Sequence, residues 1–216
     1  SNMVNITKIP NMNVQQFKFS NVKQNNNGGK TIFINRATGD IGKIAIVTPK
    51  CYLPFGISTY NGRKSVQLAL NDENCGEFKE FLANLDLRVL QEAVNSSRSW
   101  FNKVLSPEAI NDLYNPCLKQ KTEKYPPNFR ARFPTHPDTG RFMGDIFDTN
   151  KNVISESTIT PGCSVEAIVE LTGVYFVAKE FGLSWKIIQL KVFPNNKLQG
   201  YSFVSDSDDD SDAEPC

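Results

Sequence analysis

SVEAIVELTGVYFVAKEFGLSWKIIQLKVF, residues 164–193, decides the architecture of this chain. It holds two long runs, 164–178 and 185–193, rich in β-branched and aromatic residues, with KEFGLS (179–184) as the connection between them. Runs of that composition suit strands buried on at least one face. Two such strands need partners, and the partners have to come from earlier in the chain.

Candidates lie between Gln15 and Leu70. QQFKFSNV, KTIFINR, KIAIVTP, KCYLPFGIS and KSVQLAL are β-rich and are broken by NNNGG (25–29), TGD (38–40) and Asn61-Gly62. An Asn-Gly pair between two strand candidates is the strongest short signal for a hairpin. From residue 76 the period changes: Phe78, Phe81, Leu82, Leu85, Val89, Ala93, Phe101 and Val104 recur at intervals of three and four, the apolar stripe of a helix, with Trp100 in the same core. SPEAINDLYNP (106–116) adds a short helix, which Ser106 can cap and Pro107 can start, with Pro116 as its stop. After residue 117 strands return as NFRARF, RFMGDIFD and VISEST.

Strands, a helical insert and more strands predict a mainly β (α+β) chain, an antiparallel β-barrel with helices at one end. The expected layout is an N-terminal extension over 1–14, one domain over 15–204 with its helical insert at about 77–115, and a disordered acidic tail over 205–216. Ser1 and Asn2 before Met3 read as a cloning remnant. The N-terminus lacks a signal-peptide pattern and no apolar run approaches the ~18 residues of a membrane helix, so an intracellular protein is expected.

Catalytic chemistry finds little support. GGKT (28–31) lacks the earlier glycine of a phosphate-binding loop and leads into a strand-like run, so it reads as a hairpin loop. His136 is the single histidine and lies in a proline-flanked turn. Asp145 and Asp148 fit a solvated hairpin end better than a cation site. The cysteines at 51, 75, 117, 163 and 216 form no C-x-x-C pair, which points to reduced thiols and against structural zinc. No catalytic residue, metal or cofactor is therefore expected.

Basic residues interleaved with aromatics point instead to a polyanion. In KQKTEKYPPNFRARF, Lys119, Lys121, Lys124, Arg130 and Arg132 accompany Tyr125, and a period of two puts both arginines on one strand face and Phe129 and Phe133 on the other. Arg141 follows closely. The hairpin STYNGRKS offers Tyr60, Arg63 and Lys64. Trp185 and Lys186 open the last run, and in a regular strand Lys191 would share the face of Trp185. Charge of this kind with aromatic faces suits a sequence-tolerant groove for single strands; the other reading is an ordinary solvated basic loop, with Trp185 as a plug at the barrel end.

The formal net charge of +1 conceals an imbalance. Asp206, Asp208, Asp209, Asp210, Asp212 and Glu214 have no base among them, so residues 1–204 hold all 24 bases against 17 of the 23 acids, a net of +7. A tethered tail of that length reaches roughly 20 Å and meets its own domain at an effective concentration on the order of millimolar. It is expected to act as an internal competitor for the groove.

The 164–193 segment, followed by GYSF (200–203) and the Asp-rich tail, resembles the acidic-tailed, OB-fold single-stranded-DNA-binding proteins of large eukaryotic DNA viruses and, more remotely, of phages. The resemblance covers approximately residues 40–216. It implies a five-stranded, OB-fold-like antiparallel barrel with elaborations, sequence-independent binding of single strands in a basic and aromatic groove, and a tail that contacts replication proteins. The expected function is single-stranded-DNA binding, with RNA as a second ligand class, in viral DNA replication, recombination or repair in a cytoplasmic or nuclear compartment of the host. Tails of such proteins often finish in an aromatic residue; this one finishes Glu214-Pro215-Cys216. The alternative is a virion structural or assembly protein without a nucleic-acid groove.

Overall fold

The computed structural model describes residues 6–36 and 43–194. The acidic tail and the 38–40 turn lie outside them. The first strands are short: β1 (Ile6–Thr7), β2 (Phe17–Phe19), β3 (Lys23–Gln24), β4 (Lys30–Ile32) and β5 (Ile34–Arg36). β3 and β4 pair around the 25–29 loop, so GGKT enters a strand, where no helix N-terminus is present to gather N–H groups on a phosphate. KTIFINR, expected as one strand, divides at the exposed Phe33: β4 pairs with the main sheet and β5 with β2 in a separate two-stranded sheet.

β6 (Ile44–Val47), β7 (Cys51–Leu53), β8 (Ile57–Tyr60) and β9 (Arg63–Ala69) follow. The turn between β8 and β9 is the expected Asn61-Gly62, with φ of 50° and 75°. Both residues occupy the left-handed region that a two-residue hairpin of this twist requires and that Asn and Gly tolerate best.

The insert comprises α1 (Asp72–Asn95), α2 (Ser97–Phe101) and α3 (Pro107–Leu113). Phe78, Phe81, Leu82, Leu85, Val89 and Ala93 are all buried, each large side chain contributing about 1.5–3 kcal/mol through its burial. The stripe stops short of Val104, which is exposed in the connection after α2. Trp100 is buried among Phe19, Phe101, Phe176 and Phe181, and the Lys30 ammonium donates to its carbonyl oxygen. The Ser106 hydroxyl accepts from the Ala109 N–H and caps α3, with Pro107 in its first turn.

The remaining strands are β10 (Tyr114–Asn115), β11 (Asn128–Arg132), β12 (Asp145–Phe147), β13 (Cys163–Val177) and β14 (Glu180–Val192). β13 pairs with β7, β7 with β9, β9 with β11, β11 with β14, and β14 with β13, which closes a five-stranded barrel. Every pairing is antiparallel except β11 with β14, a parallel seam. The fold is mainly β and OB-like, with the helical insert between β9 and β11. Among the described residues no helix is long and apolar enough to cross a membrane.

The connection between the last two strands is shorter than KEFGLS. β14 already begins at Glu180, leaving residues 178–179 as the turn, because Phe181 continues the inward alternation and is 1 % exposed. Two register shifts interrupt the β13–β14 ladder, at Ile168/Val169 and Leu171/Gly173. The second brings Gly173, at φ 146°, so near β4 that a Cβ there would lie 2.3 Å from the Ile32 carbonyl oxygen. Only glycine fits such a close backbone approach.

A candidate nucleic-acid interface on the outer barrel face

β11 supplies the axis of the candidate surface. Phe129, Ala131 and Phe133 point into the barrel, and Arg130 and Arg132 are exposed on its outer face, as alternation requires. Arg132 faces Ser65 of β9 on one side and Lys186 of β14 on the other, and Arg130 faces Gln67. Arg63, exposed at the start of β9, lies close enough to act on Arg132 electrostatically. Arg132 is crowded despite its exposed face: desolvation first, then Arg63, lower its pKa from the ordinary arginine value, and Glu170 opposes the shift.

Lys119 pairs its backbone with Asn128, which closes the intervening residues into a loop at one end of β11. Lys119, Lys121, Lys124 and Tyr125 are all exposed there, with the Lys124 ammonium 5.5 Å from the centre of the Tyr125 ring. At the other end, Thr135 bridges to Phe142 and sets Arg141 on an exposed turn just beyond the strand. Phe142 stacks on Phe133 at 4.0 Å. Tyr60, at 74 % exposure, stands opposite Arg63 at the tip of the β8–β9 hairpin.

Two of the expected positions lie elsewhere. Lys64 alternates away from Arg63, and its ammonium pairs with Glu156 at 3.0 Å. Trp185 is a core residue, 3 % exposed and edge-on to Phe129 at 5.3 Å, which removes its ring as a stacking surface. Its indole Nε1 is buried without a conventional acceptor, the Cys117 thiol being the polar group it faces. Lys191 does not share its face, because the register skips Ile188 in pairing Gln189 with Ile168 and Ile187 with Val169. Beyond that irregularity the outward parity reverses, and Lys191 reaches Glu166 at 3.1 Å.

Three residues of this face were not anticipated. Lys43, before β6, and Lys186 approach the Glu170 carboxylate from two sides, at 3.7 and 3.6 Å. Tyr175 of β13 is half-buried, its hydroxyl accepting from the Asn115 side-chain amide at 2.7 Å with Arg130 in electrostatic reach. The only hint in the sequence is parity: Glu166 and Glu170 punctuate an apolar run at even spacing, which marks the outward side of β13.

His136 and Asp148 are turn elements, whereas Asp145 opens β12 and pairs with Gln189 of β14. The His136 N–H donates to the Arg141 carbonyl oxygen, and the Asp148 carboxylate accepts from the backbone of Asn150 and Asn152. Those bonds hold its pKa below the usual carboxylate range. Among the described residues no three His, Cys, Asp or Glu side chains converge as metal ligands.

The model of a family described as "Family of unknown function (DUF5871)" matches residues 59–205. Uncharacterized protein L291 of Acanthamoeba polyphaga mimivirus is 27% identical over 186 residues, which is 79% of this chain and 30% of that protein, so the chain spans under a third of this curated relative. Among solved structures, the single-stranded DNA-binding protein of bacteriophage Enc34 aligns with a TM-score of 0.44 and 12% identity, over 81% of this chain and 89% of the other. The single-stranded DNA-binding protein gp2.5 of bacteriophage T7 aligns with a TM-score of 0.47 and 12% identity, over 69% and 91%.

Proposed function

Because the chain belongs to DUF5871, a family of unknown function, its role has to be argued from its own residues, and we propose that it is a non-catalytic, sequence-independent single-stranded-DNA-binding protein. The supporting observation is the register that stands Arg132 beside Lys186 and within reach of Arg63 on one outer barrel face, with Arg130 two residues away. Cations fixed on neighbouring strands follow a phosphate backbone without reading bases. Lys119, Lys121 and Lys124 extend the track at one end of β11 and Arg141 at the other, while Tyr60 and Tyr125 supply exposed rings for stacking.

RNA is the second ligand class for such a surface. The acidic tail at 205–216 is the proposed competitor for the face and contact for replication proteins, in viral DNA replication, recombination or repair. The test is fluorescence anisotropy of a labelled oligothymidylate at about 50 mM salt, where counterion release favours binding most. Binding that weakens steeply as salt rises supports the reading; no binding at that salt overturns it.

A further inference from the structure

Glu170 is out of place on a polyanion-binding face. It is 5 % exposed, lies on the outward side of β13, and is paired in register with Lys186 on one side and Ala45 on the other. Its carboxylate is 3.7 Å from the Lys43 ammonium and 3.6 Å from that of Lys186. Arg132, the neighbour of Lys186, also feels its charge. One buried anion thus pairs with Lys186 and acts on Arg132, two cations that the proposed function assigns to phosphate, and pairs also with Lys43.

We infer that Glu170 is an affinity-limiting residue of this face: it occupies Lys43 and Lys186 as an internal stand-in for phosphate and keeps the strand from binding as tightly as the cations alone would allow. The inference rests on the single-strand reading above. Two opposing effects decide its sign. A carboxylate between two lysines can orient them for a ligand, and it can cancel their charge. Both separations exceed a good charged hydrogen bond, and the lysine side chains are 53% and 33% exposed against 6% for the carboxylate. The lysine side chains are therefore loosely held and open to solvent, so cancellation outweighs orientation.

The same asymmetry protects the fold when the carboxylate is removed. The lysines left behind have water to turn to, and no buried charge is stranded. Glu170→Gln keeps the volume of the side chain and deletes the charge. Glu170→Met does the same with an apolar group and serves if the glutamine variant does not fold.

Binding of labelled oligothymidylate is measured for the native protein and the variant from about 50 to about 300 mM salt, with thermal unfolding of both. Each phosphate newly neutralised steepens the plot of log K against log salt by about 0.7, which at about 50 mM amounts to about eightfold. The expected result is a folded variant that binds about eight times more tightly and has the steeper slope. A folded variant that binds equally or more weakly, while the native protein binds, overturns this inference alone. Absence of binding by the native protein overturns the single-strand reading, and this inference with it.

Discussion

Arg132 of β11 and Lys186 of β14 are direct neighbours across the parallel seam that closes the barrel. Two cations from distant parts of the chain are thereby fixed side by side, and the spacing belongs to the sheet rather than to a loop. The Lys186 ammonium meets Glu170, and the like charge that acts on Arg132 is that of Arg63. The barrel seam and the candidate binding surface are one piece of structure.

Replacing Arg130 and Arg132 together with alanine removes two exposed cations and no core contact. Oligonucleotide binding is expected to weaken equally for oligo(dT), oligo(dC) and mixed sequences, with the salt slope flattened by about 1.4. Anisotropy titrations across salt read both quantities. Loss confined to one base composition would show base readout instead.

Tyr60 projects from the hairpin tip with no packing duty. If it stacks on a base, Tyr60→Ala costs about 1–3 kcal/mol of binding, roughly 5- to 150-fold in affinity, and leaves the melting temperature unchanged. An affinity equal to that of the native protein excludes Tyr60 from the contact.

Deleting residues 205–216 removes six carboxylates and leaves a net charge of +7. Binding at low salt should tighten, and the difference should shrink as salt screens the tail from the domain. Equal affinities at low salt would leave the tail no role as a competitor.

Asp86 of α1 accepts from the Tyr114 hydroxyl at 2.5 Å and from the Cys117 N–H at 3.1 and 3.2 Å. Burial raises its pKa, and those hydrogen bonds counter the rise only in part. An acid with a raised folded-state pKa binds its proton more tightly when folded, so its contribution is fully present below the unfolded value and is lost as pH climbs through the folded one. Asp86→Asn has no such proton, and its stability relative to the native protein should improve as pH rises above the usual carboxylate range. Parallel melting curves from about pH 4 to 7 would refute this assignment.

Gly173→Ala puts a methyl group against the Ile32 carbonyl oxygen and forces a positive φ on alanine. A loss of roughly 1–3 kcal/mol is expected from the crowding, read as a lower melting temperature.

Local periodicity made much of this legible in the sequence. The α1 stripe from Phe78 to Ala93, the Asn61-Gly62 turn and the alternation of NFRARF are each written in consecutive residues, and each is realised as written. What escaped depends on register between distant strands. Trp185 and Lys191 look like face-mates until the skipped Ile188 turns one inward and the other outward. Lys64 looks like a ligand contact until Glu156 arrives from a distant turn. Lys43, Glu170 and Lys186 come from three separate strands or their approaches, and no local pattern announces that they meet.

β14 pairs with β13, β11, β10 and β12, and its pairing with β13 and β11 closes the barrel. The consequence concerns the order of events during synthesis. Until residues 180–192 have left the ribosome, Arg132 has no Lys186 beside it and Glu170 engages at most one lysine. A nascent or truncated chain can form the β8–β9 hairpin and α1, which are local, but the proposed polyanion face comes into being only with β14. Incomplete products therefore lack the Arg132–Lys186 pairing on which the proposed binding face depends.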